Sequence, residues 1–205
     1  MKNAFISCIT IFMFALGFQA KATLLTFDDI PGGSIQNSYT EIYSYKGFVF
    51  NYTLNWIDVV DSPWNHGAHS GEFAMLNDHK GMGIISQENG DDFIFDGLWA
   101  KQYPSPPNSG GPDGLFGTMK GYNNGNLVWE VDTALNGSYK YFEAQQGAID
   151  ELHLDFGIWF LVDDLSLTGT GDNNDPQAVS EPAPALLFGM SMFALLLMRR
   201  REFFS

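Results

Sequence analysis

Between its two ends, this chain of 205 residues has no stretch carrying the long 3.6-residue apolar period of an amphipathic helix. It has instead a succession of short runs, several alternating apolar with polar residues, as strands with one buried face do. Runs at 24–28, 47–52, 56–60, 73–76, 83–86, 92–95, 98–101, 117–122, 127–132, 139–142, 149–154 and 159–167 read as strands. Leu127, Trp129 and Val131 are expected on one side of their strand, opposite Val128, Glu130 and Asp132. Likewise Ile149, Glu151 and His153 are expected opposite Asp150, Leu152 and Leu154. Asn124-Gly125 lies between two such runs, a hairpin signal, and Asn89-Gly90 and Asn136-Gly137 punctuate in the same way. Many short strands with turn residues between them, and no useful internal repeat, predict an all-β domain over 23–168. The architecture expected is a jelly-roll-like β-sandwich.

Charge narrows the partners. The formal net charge is -14, but the ends dilute it: residues 23–180 hold five basic and 22 acidic residues, near -17. Such a surface repels phosphate backbones, so nucleic acid is not an expected partner, whereas divalent cations are attracted. The one cysteine, Cys8, falls in the N-terminal apolar stretch, so the central domain has no disulfide.

The two ends read as addresses. Residues 1–22 have the form of a signal peptide: Lys2, then an apolar run from Ala4 to Phe18, then Ala20-Lys21-Ala22. Signal peptidase is expected to cut after Ala22 and leave Thr23 as the mature start. At the other end a polar linker, 169–178, leads to a tail over 179–205. That tail holds Ser180-Glu181-Pro182, an apolar helix expected over 185–198, and Arg199-Arg200-Arg201. Cationic residues after an apolar run stay cytoplasmic, so the domain is expected outside and the arginines inside, with transient anchoring in the inner membrane.

The tail resembles the PEP-CTERM sorting signal of Gram-negative bacteria, in which a Pro-Glu-Pro motif precedes an apolar helix and an arginine cluster. Glu181 and Pro182 match the motif, and Ser180 stands where the family has its first proline. The resemblance implies an exosortase substrate, cut near the motif and passed to the cell surface or beyond. Proteins of this kind accompany extracellular polysaccharide. The domain over 24–168 is also similar to the central domain of exported PEP-CTERM proteins, through Thr26-Phe27-Asp28, Gly121-Tyr122-Asn123-Asn124-Gly125 and Val162-Asp163-Asp164-Leu165. That resemblance implies a sandwich like those of carbohydrate-binding modules and supplies no activity.

Three constellations bear on chemistry. Asp28, Asp29, Asp163 and Asp164 lie near the two ends of the domain, and first and last strands of a sandwich are often neighbours. Four carboxylates drawn together suggest a structural Ca²⁺, which takes oxygen ligands; solvent exposure and turn capping are the alternative. His66, His69 and His79 are a thin set for zinc, without a His-Glu-x-x-His motif. Trp64, Trp99 and Tyr103, with the loop at 104–112, suggest a sugar-stacking platform. Against it, Trp56, Trp99, Trp129 and Trp159 fall in strands and are expected to fill the core, which leaves Trp64 the exposed candidate.

No Gly-x-Ser-x-Gly elbow, phosphate loop, dinucleotide fingerprint or cysteine nucleophile is present. The expected function is therefore a non-catalytic cell-surface or matrix protein that binds polysaccharide. A glycan-active enzyme with two facing carboxylates and a purely structural matrix component are the alternatives.

Overall fold

A computed structural model describes residues 22–30, 39–60, 65–77, 81–106 and 109–170. The expected signal-peptide helix, Ala20, the linker beyond Thr170, the apolar tail helix, Ser180, Glu181, Pro182 and Arg199–Arg201 lie outside the described residues, as do Trp64 and His79. Among the described residues no helix is long and apolar enough to cross a membrane.

In chain order the strands are β1 (Ala22–Leu25), β2 (Tyr39–Glu41), β3 (Ser44–Tyr45), β4 (Phe48–Phe50), β5 (Leu54–Asp58), β6 (Phe73–Asn77) and β7 (Gly83–Gln87). They continue with β8 (Phe93–Gln102), β9 (Leu115–Asn123), β10 (Asn126–Leu135), β11 (Lys140–Glu143), β12 (Glu151–Asp155) and β13 (Phe160–Gly169). Two antiparallel sheets make a β-sandwich. The first runs β11-β8-β13-β6-β5-β2, with β1 also on β13; the second runs β10-β9-β12-β7-β4-β3. β1 pairs with the second half of β13, Leu25 facing Leu165, so the two ends of the domain are indeed neighbours.

The main core lies between the sheets and is unusually aromatic. Phe27, Phe93, Phe95, Phe156, Phe160 and Trp56 are all fully buried in it. Burying one such side chain contributes roughly 1.5–3 kcal/mol. Trp56 stacks on Phe73 with ring centroids 4.9 Å apart, and its indole N–H donates to the Phe27 carbonyl at 3.2 Å. Part of the outer face of the first sheet is covered too. Ile57, Val59, Ala74, Leu76 and Leu161 form a smaller cluster there, with Ala68, Tyr103 and Tyr139 packed on it. The second sheet differs: β12 alternates strictly, Leu152 and Leu154 buried and Glu151 and Asp155 exposed, so its outer face is open.

The structure corrects the sequence reading at particular places. The runs at 92–95 and 98–101 form one strand, β8, because Gly97 spans the join at φ 138°. Tyr141 lies over that glycine: a Cβ there would fall 2.3 Å from the Tyr141 hydroxyl oxygen. Leu127 does not share a face with Trp129, because a bulge between them breaks the alternation and leaves Leu127 exposed and Trp129 buried. Ile149 does not share a face with Glu151. It sits in an isolated bridge with Phe93 ahead of β12, fully buried, while Glu151 points outward. Trp159 is not a core residue: it precedes β13 at φ 60°, 38% exposed. Trp99 lies on the outer face of the first sheet rather than between the sheets, partly covered by His69. β2 and β3 were not expected at all; two or three residues are too few to show a period.

Candidate functional site

The open outer face of the second sheet takes its chemistry from alternation on three neighbouring strands. On β9, Met119 and Gly121 point into the core, which turns Phe116, Thr118, Lys120 and Tyr122 outward. On β12 the outward residues are Glu151, His153 and Asp155. β10 adds Leu127 before its bulge and Glu130 and Asp132 after it.

Register then sets these residues beside one another. Glu151 faces Tyr122, His153 faces Lys120, and Asp155 faces Thr118 across β12 and β9. Tyr122, Lys120 and Thr118 in turn face Leu127, Glu130 and Asp132 on β10. Directly facing side chains in a sheet are in contact range, which makes these rows the unit of the site.

The rows enclose a hollow of about 400 Å³ lined by Met82, Thr118, Lys120, Tyr122, Glu151 and His153, among others. Two of the charged side chains that line it, Lys120 and Glu151, have partners. Lys120 Nζ lies 3.0 Å from Glu130 Oε1, and that hydrogen bond holds the ammonium above its ordinary pKa. His153 Nε2 lies 2.7 Å from Glu151 Oε2. The Tyr122 ring sits against the His153 imidazole, centroids 4.5 Å apart and planes at 42°. The result is a half-buried aromatic surface flanked by fixed hydrogen-bonding groups. It can offer a ring to an apolar face while donating and accepting around its rim.

Two supports hold the face in place from behind. Gly121 leaves room for the Trp129 indole: a Cβ at Gly121 would come within 2.4 Å of that ring and 2.7 Å of Ile149 Cγ2. At the hairpin between β9 and β10, the Asn124 N–H donates to Asp150 at 2.8 Å, tying the turn to the approach to β12.

The residues singled out in the sequence lie elsewhere. Trp99 and Tyr103 both belong to the outer side of the first sheet. Trp99 is stacked by His69, centroids 3.9 Å apart and planes at 15°, and Tyr103 packs edge-on to His66 at 4.6 Å. Neither borders the hollow on the second sheet.

Of the four aspartates, three converge on one loop and one does not. Asp163 Oδ2 accepts from the main-chain N–H of His69 and of Ser70, at 2.8 and 2.9 Å. Asp164 accepts from the Ser70 hydroxyl and lies 2.6 Å from His69 Nδ1. Asp28 accepts from the N–H of Glu72 and Phe73. Asp29 instead meets Tyr45 and Lys46. These oxygens are turned to N–H and O–H donors rather than to a common centre. Among the described residues no three His, Cys, Asp or Glu side chains gather closely enough to hold an ion. The arrangement does not fit the six to eight oxygens that Ca²⁺ takes.

Sequence reasoning missed the hollow because its residues come from strands distant in the chain. The available signal was polar spacing at Thr118-x-Lys120-x-Tyr122 and Glu151-x-His153-x-Asp155.

Ala22, the residue before the expected signal-peptidase cut, opens β1 and is exposed.

No protein-family model and no curated protein sequence matches the chain. Some solved structures are similar to the chain at a distance. A DUF4465 family protein from Bacteroides caccae is 12% identical over 72% of this chain and 98% of that one, with a TM-score of 0.47. TmCBM61, solved with β-1,4-galactotriose, is 15% identical over 62% of this chain and 91% of that one, with a TM-score of 0.33. The C-terminal family 22 carbohydrate binding module of Clostridium thermocellum Xyn10B is 9% identical over 73% and 92%, with a TM-score of 0.37. At such identities and scores these likenesses carry no functional weight, and the chemistry of the face has to stand by itself.

Proposed function

We propose that this chain is a non-catalytic, exported glycan-binding protein whose binding face is the outer side of β9, β10 and β12. The observation that carries this is the Tyr122–His153 ring pair set in a hollow of about 400 Å³ beside the Lys120–Glu130 ion pair and the His153–Glu151 contact. Rings fixed in this way suit the apolar face of a pyranose, and the carboxylates and ammonium around them suit its hydroxyls. Charge selects the class of glycan. Glu130, Asp132, Glu151 and Asp155 outnumber Lys120, so uronate and sulfate groups are repelled and an uncharged polysaccharide is favoured. Repeated crossing of the chain between the two sheets supports the jelly-roll reading of the scaffold.

The test is retention of the protein in native gels cast with neutral or with uronate-containing polysaccharide. Retardation by a neutral polysaccharide, lost in Tyr122→Ala, supports the proposal. Retention only by the acidic polysaccharide, or retention that Tyr122→Ala leaves intact, overturns it.

Export and sorting belong to the same proposal. The tail pattern at Ser180-Glu181-Pro182 and Arg199-Arg200-Arg201 supports exosortase processing after signal-peptidase cleavage, with the cell surface or matrix as the destination.

A further inference from the structure

One exposed aromatic on the same face is not accounted for by the hollow. Phe116 is 66% exposed, although phenylalanine usually seeks burial. It projects from β9 on the same side as Thr118, Lys120 and Tyr122, while its neighbour Leu115 packs against the core. Opposite it on β10 stands Ala134, too small to cover it. β9 pairs with β10 without a break from Leu115 to Gly121, and Tyr122 then faces Leu127. Six residues of regular strand therefore put Phe116 and Tyr122 about 20 Å apart along one line. Between them lie the hydroxyl of Thr118 and the Lys120–Glu130 pair, flanked by Asp132 and Asp155. Towards β10 each end of the line is apolar, Tyr122 beside Leu127 and Phe116 beside Ala134, and the middle is polar; towards β12, Tyr122 has Glu151 opposite it.

We propose that Phe116 is a second sugar-stacking platform, and that the face takes an internal stretch of a glycan chain laid along β9 rather than a single sugar or a chain end. This rests on the glycan-binding reading. A lone platform would hold one ring. Two platforms separated by a row of hydrogen-bonding groups fit several consecutive rings, with the outer rings stacked and the inner hydroxyls met by Thr118, Lys120 and the carboxylates. The site is then filled only by a chain long enough to reach both aromatics.

The experiment is calorimetric titration of the full chain with β-1,4-linked glucose, xylose and galactose oligosaccharides of two to six rings. Affinity is expected to rise with length. Phe116→Ala is expected to lower affinity for the six-ring compound about three- to tenfold and leave the two-ring compound unaffected, whereas Tyr122→Ala lowers both. Phe116→Leu, which keeps the apolar bulk without the ring, is expected to behave as Phe116→Ala does. Unchanged melting curves establish that the variants are folded. Binding that does not depend on length, or a Phe116→Ala protein that holds the six-ring compound as tightly as the wild type, overturns the second platform and leaves the first standing. If none of the oligosaccharides binds, the glycan reading itself fails, and the extended site fails with it.

Discussion

Asp163 Oδ2 accepts a 2.8 Å hydrogen bond from the main-chain N–H of His69, a residue 94 positions earlier in the chain. The same carboxylate accepts from the N–H of Ser70 and of Asp164. It is fully buried, on the outer side of the first sheet, and it fixes the loop that carries His69 onto Trp99. The contact is thus a strut for the loop packed on the outer side of the first sheet.

Burial makes that strut pH-sensitive. Desolvation pushes the Asp163 pKa up to about 7 from an unfolded value of 3.8, against the lowering effect of its N–H donors. Between these values the folded protein holds a proton that the unfolded chain has released. Stability is therefore highest below about pH 4 as far as this group is concerned, and falls as pH rises towards 7. The loss is on the order of 4 kcal/mol. Urea unfolding at intervals from pH 4 to 8 measures the slope, and Asp163→Asn is expected to flatten it. Equal slopes in the two proteins would show that Asp163 is not the titrating group.

The glycine behind the candidate face is a sharper structural test. Gly121→Ala puts a methyl group 2.4 Å from the Trp129 indole, inside a packed core. Overpacking of this kind costs roughly 1–3 kcal/mol, and the cost here should appear as a lower denaturation midpoint with a change in tryptophan fluorescence. Because Gly121 separates Lys120 from Tyr122, glycan affinity should fall in the same variant. A Gly121→Ala protein with wild-type stability would mean that Trp129 does not occupy this position.

Removing the indole at Trp56 tests the core itself. Trp56 is 1% exposed, stacked on Phe73, and hydrogen-bonded to Phe27. Trp56→Ala should destabilise the domain by about 3–5 kcal/mol, while Trp159→Ala, at an exposed site, should cost far less. Chemical denaturation of both variants gives the comparison, and similar losses would contradict the burial pattern.

Metal removal is expected to do little. The aspartates near the domain ends are turned to backbone and side-chain donors, so a chelator should leave the melting temperature where Ca²⁺ leaves it. A clear rise in melting temperature with Ca²⁺ would reveal a bound ion through linkage.

Processing has its own measurement. Intact-mass spectrometry of protein from the native host should find a mature chain that begins at Thr23 and lacks the segment from Arg199 to Ser205. An intact C-terminus in protein recovered from the cell surface would rule out exosortase cleavage.

Much of the strand content was legible because alternation is local. Leu152 and Leu154 could be set apart from His153 without knowledge of any neighbour. Reading failed where local pattern and backbone geometry part company. A bulge at Leu127 and Trp129, a glycine continuing β8, and the positive φ of Trp159 each leave the sequence pattern plausible while changing what faces the core. Of the aromatic platform read at Trp64, Trp99 and Tyr103, Trp64 lies outside the described residues, Trp99 is stacked by His69 and Tyr103 packs on the small outer cluster.

By itself the sequence determined that the domain is a sandwich of short strands and which side chains on a regular strand share a side, since a period of two follows from backbone geometry alone. It also carries the charge that disfavours acidic partners. Only the tertiary structure decided that β9 lies between β10 and β12, and so that Tyr122 meets His153 and Lys120 meets Glu130. Those contacts depend on long-range register, which is settled by how both sheets bury their inner faces together. It is equally the tertiary structure that packs a second apolar cluster on the outside of the first sheet and leaves Glu151 and Asp155 exposed on the outside of the second.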